Sequence, residues 1–295
     1  MATTMRATLQ RGSAGFRPFL DFFTNMHALT TGGVACRATA DGWLFQCFTE
    51  SLTTLVELFL PRESFAQYVF QAGAEGGAEE LLFTFFSTRE HTALYRACLP
   101  RDDISEITML CSSVEDCARL SVVSSSSSSE SEANVFDLAT CDPGGHEFVD
   151  IEAQIDVSRF AYRLTCESQH LHSKTSLAVR CHGGQPVCLS LAGGGRAGFV
   201  CEGGDVLRAC RLPIHLAATG GSTLDDPALA EMRFSLHPKS CALLHAFMLI
   251  APQVGIYVHA RDIPCFFKWT FPDAVGPTPY FYMAMSSSIV DGEAS

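Results

Sequence analysis

Apolar and polar residues alternate along most of this chain, and each alternating run stops at a cluster of Gly, Pro, Asp or Ser. Such runs read as half-buried strands and the clusters between them as turns. The first half then consists of strand Met5–Gln10, a helix from Ala14 to Leu29, and strands Val34–Ala40, Trp43–Thr49, Thr53–Pro61, Phe65–Gln71 and Leu81–Ser87. A second helix, Thr88–Cys98, and strands Ile104–Cys111, Ala118–Val123 and Asn134–Cys141 complete it. Spacing selects the first helix: Phe16, Phe19, Leu20, Phe23 and Met26 recur every three or four residues, with Arg17, Asp21 and Asn25 opposite. Ser13 is its expected N-cap, Pro18 falls in the first turn, where proline is tolerated, and Thr88 opens the second helix. Asp41-Gly42 between two strand-like runs is a hairpin turn.

After Asp142–Glu147, rich in Pro and Gly, the pattern restarts. It runs through strand Phe148–Asp156, helix Val157–His170, and strands Ser176–His182, Pro186–Ala192, Ala197–Glu202 and Val206–Leu216. Beyond the loop Gly220–Pro227 come strand Glu231–Leu236, helix Ser240–Ile250 and strands Gln253–Ala260, Pro264–Phe271 and Pro279–Met285. Each half thus reads as two helices and nine strands, a structural repeat without visible sequence identity. The expected fold class is α+β, with tandem domains 1–141 and 148–295 joined by a connector at 142–147. Ser124–Glu132, all but bare of apolar residues, reads as a mobile hairpin tip. Ser127 and Ser129 each have a glutamate three residues on, so the tip is either a solvated loop or a target of acid-directed phosphorylation.

At 295 residues and 47% apolar, the chain can bury enough surface to fold without disulfide or metal support. Its 13 cysteines are odd in number, scattered, and never in a Cys-x-x-Cys pair, which points to a reducing compartment. No apolar run approaches the roughly 20 residues of a membrane span, so no membrane partner is expected. Arg6, Arg11 and Arg17 precede the first acid, Asp21; the segment has the charge of a transit peptide, but Met5–Gln10 reads better as a first strand. Gly193-x-Gly195-x-x-Gly198 matches the dinucleotide fingerprint in letters only, because a strand-like run and not a helix follows it. His170-x-His172 lacks a nearby third ligand, and no Ser, Cys or Thr stands in a nucleophile elbow. No enzyme activity, cofactor or metal is therefore expected.

Charge carries the positive signal. The net charge is −12, which excludes binding of nucleic acid by the whole surface but leaves room for a basic patch. Arg17 lies on the first helix, Arg89 and Arg96 on the second, Arg159 and Arg163 on the third, and Lys239 at the start of the fourth; Arg11 and Lys174 flank helix ends. Eight of the 20 basic residues thus belong to or adjoin four short helices. Either the helices share one electropositive surface, or they carry solvated faces with local ion pairs.

From Leu243-Leu244-His245-Ala246-Phe247 through Val254-Gly255-Ile256-Tyr257-Val258 and Pro264-Cys265-Phe266-Phe267-Lys268-Trp269 to Tyr280-Phe281-Tyr282-Met283-Ala284, the chain resembles the sliding clamps of the proliferating-cell-nuclear-antigen superfamily. Met5-Arg6-Ala7, Phe22-Phe23-Thr24-Asn25-Met26, Phe65-Ala66-Gln67-Tyr68 and the serine-rich loop are most similar to the Hus-one-type subunits of the heterotrimeric DNA-damage checkpoint clamp. The resemblance spans roughly Met5 to Met285. It implies a subunit of a ring around duplex DNA, nuclear, assembled with two other clamp-like chains of the Rad-nine and Rad-one types, loaded by a clamp loader, and recruiting repair and checkpoint proteins. A homotrimeric replicative processivity factor is the alternative within the class. Outside it stand a Cys/His hydrolase and a two-domain interaction protein that never meets DNA.

The same resemblance implies that the helices line the hole, so Arg11, Arg17, Arg89, Arg96, Arg159, Arg163, Lys174 and Lys239 would face phosphates. It also implies closure of the ring between the last strand of domain one, Asn134–Cys141, and the fourth strand of domain two, which falls at Ala197–Gly203. Val135, Phe136, Leu138, Phe199 and Val200 are then the apolar interface residues, and a charge at Phe136 or Phe199 is expected to abolish assembly. Two features depart from the replicative pattern. The connector is short and glycine-rich, so no partner-peptide pocket is inferred there, and arginine replaces lysine on the helices, which changes phosphate geometry.

Overall fold

The computed structural model describes residues 2–29, 32–49, 54–73, 79–99, 103–124, 133–142, 147–149, 162–181, 187–192, 196–203, 207–215, 217–218, 231–258, 265–271, 278–285 and 288–289. The readings of 125–132 as a hairpin tip, of 143–146 in the connector, of 150–156 as strand and of 220–227 as loop lie outside them. The chain divides into two compact units: Met1–Glu50 with Glu57–Phe148 and Phe271–Phe281, and Ser51–Val56 with Val149–Thr270 and Tyr282–Ser295.

The first unit holds β1 (Thr4–Gln10), α1 (Phe16–Asn25), β2 (Gly33–Thr39), β3 (Gly42–Phe48), β4 (Thr54–Pro61, in this unit from Glu57), β5 (Gln67–Gln71), β6 (Leu81–Phe86), α2 (Arg89–Cys98), β7 (Ile104–Ser112), β8 (Cys117–Ser124) and β9 (Ala133–Cys141). The strands lie in the order β4-β3-β2-β6-β9-β8-β7-β1-β5, and each pair with a resolved register is antiparallel. β9 belongs to two ladders: Ala133–Ala139 pair with β8, and Thr140 and Cys141 pair with β6.

The apolar stripe read from the sequence is what holds α1 down. Phe19, Phe22 and Phe23 are fully buried and meet Phe45 of β3; Phe23 also packs edge-on against Phe85 of β6 and Tyr95 of α2. Ser13 does not cap this helix. Its hydroxyl turns back to the Gln10 carbonyl at 2.7 Å, and Gly15 stands at the N-cap without a side-chain bond, since a Cβ there would come within 3.1 Å of Ser64. Thr88 does cap α2, accepting from the His91 amide, and Glu90 in that first turn is held below the usual carboxylate range by hydrogen bonds from its own backbone N–H and from Thr88.

The Asp41-Gly42 turn is pinned from both sides. The Tyr68 hydroxyl reaches the carbonyls of Thr39 and Gly42 at 2.8 and 2.9 Å, and Gly42 has φ +153°. A Cβ on Gly42 would strike the Leu60 carbonyl oxygen and lie 2.9 Å from the Pro61 Cα. Gly42→Ala is expected to cost about 2 to 3 kcal/mol of stability, read as a lowered denaturant midpoint; an unchanged midpoint would show that the turn relaxes freely.

The second unit holds β10 (Tyr162–Glu167), α3 (Ser168–Cys181), β11 (Val187–Ala192), β12 (Arg196–Gly203), β13 (Leu207–His215), β14 (Ala217–Ala218), β15 (Glu231–Leu236), α4 (Pro238–Phe247), β16 (Gln253–Val258), β17 (Cys265–Thr270), β18 (Tyr280–Met285, in this unit from Tyr282) and β19 (Ser288–Ile289). Its strands form the orders β14-β10-β16-β17-β18 and β13-β12-β11-β15-β19. The chain is thus α+β, mostly antiparallel sheet with a few helices, as the alternation predicts.

One helix is displaced from its sequence reading. Tyr162–Glu167, expected within a helix at 157–170, is a strand paired along its whole length with β16. The helix starts at Ser168 and takes in most of the run expected as strand 176–182. The apolar face of α3 is made of small and medium residues: Ser168, Leu171, Thr175 and Ala178 are buried at helical spacing. That sequence has little amphipathic contrast, whereas Tyr162, Leu164 and Cys166 alternate with polar neighbours as a strand does.

The side chains of ten of the 13 cysteines are described, and none of these ten forms a disulfide. Burial pushes the Cys47 and Cys265 thiols up to about 12. No described helix is long and apolar enough to cross a membrane.

Candidate nucleic-acid interface

Within the first unit α1 packs on α2, and within the second α3 packs on α4. Across their sequences the four helices carry six Lys or Arg (Arg17, Arg89, Arg96, Lys174, Arg180, Lys239) and two acids (Asp21, Glu90), in a chain of net charge −12. α3 and α4 carry no acid at all.

On the first pair Arg17, Arg89 and Arg96 are exposed. Arg96 also supports the fold. Its Nε donates to the Thr24 carbonyl at 2.8 Å, supplying a donor to the last turn of α1, where backbone carbonyls have no helical partner. Its guanidinium lies 3.4 Å from His27 Nδ1. Burial first, then the Arg96 and Arg89 charges, holds His27 below the ordinary histidine value. Arg11, also exposed, donates through Nε to the Ile104 carbonyl at 3.1 Å.

On the second pair Lys174 is half-buried in mid-helix, and Arg180 and Lys239 are exposed. Arg180 hydrogen-bonds the Ser176 carbonyl at 3.2 Å and the Ser176 hydroxyl at 2.8 Å, which lays its side chain along the helix surface. Lys239 sits beside Pro238 in the first turn of α4, where the His237 ring nitrogen accepts the Lys239 amide at 3.2 Å.

Two sequence assignments are corrected here. Arg163 is on strand β10 and not on a helix, because α3 begins five residues later; Arg159 lies outside the described residues. Arg180, read from the sequence as part of a strand, is the helix cation that the pattern hid. Its signal was present: no Gly or Pro interrupts Ser168–Cys181, as expected of a continuous helix.

The apolar edge residues also separate. On β9, Val135 is 57% exposed and Phe136 half-buried, whereas Leu138 points inward at 1%. Among the described residues, Ala133–Ala139 pair with β8 alone, so their other backbone edge is open. Phe199 and Val200 are on β12, which is paired on both sides, with β11 and with β13. β12 therefore offers no free edge, and Phe199, at 1% exposure, is core. The open strand is β13, which among the described residues pairs only with β12. Because residues 176–181 are helix and not strand, the fourth strand of the second unit among the described residues is Leu207–His215.

Arg196–Gly203 is strand and forms a hairpin with β11, so no helix follows the glycines of 193–198. His170 and His172 lie on α3, and among the described residues no three His, Cys, Asp or Glu side chains cluster to hold a metal.

No protein-family model matches the sequence, and no curated protein matches it. Solved structures do. PCNA from Thermococcus kodakaraensis is similar with a TM-score of 0.67 at 15% identity, covering 96% of this chain and 100% of that one. The PCNA2–PCNA3 complex from Sulfolobus tokodaii gives 0.66 at 11%, covering 96% and 98%. Proliferating Cellular Nuclear Antigen from Entamoeba histolytica gives 0.69 at 13%, covering 96% and 98%. At such identities what is shared is the fold, and it is shared end to end: the chain has the PCNA-type clamp fold.

Proposed function

We propose that the chain is a non-enzymatic subunit of a sliding-clamp ring that encircles duplex DNA. The observation that carries this is the end-to-end match to three PCNA structures, joined to a surplus of cations on the four helices of an acidic chain. Contacts of Arg or Lys with phosphates are independent of sequence and weakened by salt, as a body that must move along DNA requires. Arg17, Arg89, Arg96, Lys174, Arg180 and Lys239 are the cations assigned to that role, with Arg11 beside them.

Within this class the heteromeric checkpoint type is the preferred assignment. The Hus-one-like segments of the sequence favour it, and the Sulfolobus tokodaii structure, a complex of two different PCNA chains, is a precedent for mixed assembly in this fold. The role that follows is nuclear: loading by a clamp loader and recruitment of repair and checkpoint proteins. The edges assigned to ring closure are those of β9 and β13, with Val135 and Phe136 as the apolar contribution from β9.

Mass measurement of the purified chain tests the assignment. The expected result is a monomer that enters a three-chain complex only with two different clamp-like partners. A homotrimer would overturn the heteromeric reading, and failure to join any clamp-like chain would overturn the clamp reading. Val135→Glu is expected to leave the thermal midpoint unchanged and to remove the chain from the complex; retention of the complex would move the interface away from β9.

A further inference from the structure

His172 of α3 and His245 of α4 stack face to face, with ring centroids 4.3 Å apart and planes 22° from parallel. Thr175 Oγ1 lies 3.1 Å from the Leu171 carbonyl oxygen, 3.0 Å from the His172 carbonyl oxygen and 3.2 Å from His245 Nδ1. The Thr175 hydroxyl, itself buried, thus ties the His245 ring to the backbone of α3, its single proton going to a carbonyl or to Nδ1 according to the His245 tautomer.

Protonation of one ring places an imidazolium against its partner in a helix pair that supplies no carboxylate. α3 contributes His170, Lys174 and Arg180, α4 contributes Lys239 with His237 at its N-cap, and neither helix has Asp or Glu. The strands packed on α3 carry Arg163 and Glu167 on β10, Arg196 and Glu202 on β12, and Arg208, Arg211 and His215 on β13. Burial, ahead of the His172 charge, keeps His245 below the ordinary histidine value against a backbone hydrogen bond to His172 that raises it, with Arg180 adding a smaller lowering, and burial does the same for His172. The rings lie face to face rather than converging on a point as metal ligands do.

We propose that the His172–His245 stack makes phosphate binding by α3 and α4 proton-linked, so that the duplex is gripped more tightly as pH falls and released as it rises. The inference rests on the reading of these helices as DNA-facing. Phosphate oxygens near the pair stabilise the imidazolium, and binding linkage is reciprocal: a group whose pKa rises on binding strengthens binding in the same measure. The sign follows. The gain in affinity is complete below the free-state pKa, which lies under the usual histidine value, and is lost as pH rises through the higher DNA-bound pKa. Each unit by which DNA lifts that pKa appears as about tenfold in affinity.

Histidine ring NMR of the assembled three-chain complex with only this chain isotope-labelled, with and without a 30-base-pair duplex of mixed sequence at 25 mM salt, is the test. The expected result is that His172 and His245 titrate below the ordinary histidine value when free and that DNA moves their midpoint up by about one unit. In the same buffer, His172→Asn with His245→Asn should flatten the dependence of affinity on pH between 5.5 and 7.5 without changing the salt slope at pH 8. Asn keeps a polar group towards Thr175 while abolishing titration; if the double variant does not fold, the wild-type titration decides alone. DNA binding with an unmoved midpoint overturns the proton linkage and leaves the clamp reading intact. No DNA binding at any of these pH values overturns both.

Discussion

Phe23→Ala lowers the stability of the first unit by about 4 kcal/mol, the expected loss for a phenylalanine removed from a closed core. Phe23 is inaccessible to solvent and is the hub of an aromatic cluster. It stacks on Phe19 at 4.4 Å and meets Phe85, Tyr95 and Phe45 edge-on at 5.0, 5.5 and 5.8 Å. Those partners belong to α1, β6, α2 and β3, so one ring ties both helices to the sheet. Collapse of the cavity would require two helices and two strands to move together, which places the loss towards the upper part of the usual range. Domains unfold with about 5 to 15 kcal/mol, so such a loss is a large share of the total. The check is the denaturant midpoint of the variant; a loss below about 1 kcal/mol would show that the cluster repacks. Phe23→Leu, which keeps most of the apolar volume, is expected to cost about 1 to 2 kcal/mol.

Reversal of four helix charges is expected to abolish most DNA affinity while leaving the fold intact. The variant is Arg17→Glu, Arg89→Glu, Lys174→Glu and Arg180→Glu. Three of these residues are exposed and Lys174 is half-buried, and the hydrogen bonds of Arg180 stay within its own helix. Arg96 is left alone because its Nε carries a bond to the end of α1. Each lost phosphate contact lowers the slope of log affinity against log salt by about 0.9, so four lower it by about 3 to 4 and cost two to three orders of magnitude at low salt. Fluorescence anisotropy of the assembled complex on duplex DNA between 50 and 200 mM salt reads both quantities. An unchanged slope would mean that these helices do not meet phosphate, whatever the ring does.

Where local chemistry decided the structure, the sequence was legible. The spacing of Phe16, Phe19, Leu20 and Phe23 gave α1 because bulky apolar residues at that period must bury one face. Thr88 marked α2 because a hydroxyl in that place satisfies an orphan amide. The failure at 157–182 has a physical cause: α3 buries Ser168, Leu171, Thr175 and Ala178, and small side chains leave only a faint stripe. Its neighbour β10 is fixed by pairing with β16, a partner some ninety residues away that no local pattern reveals. That single displacement propagated. It put Arg163 on the wrong kind of element, hid Arg180, and shifted the strand count so that buried Phe199 stood in for an edge that belongs to β13. The His172–His245 contact was beyond reach altogether, since two helices from distant parts of the chain had first to be brought together.

The two ladders of β9 have a consequence for water. Alternate amides and carbonyls of Ala133–Ala139 face β8, and the intervening ones face outward, where no described strand meets them. In a lone subunit that outward row must be hydrated, and each group becomes costly the moment an apolar surface such as Val135 draws another molecule close without offering a matching backbone. Only a strand in register can dry this edge cheaply, so the edge itself discriminates between a true neighbour and a merely sticky one.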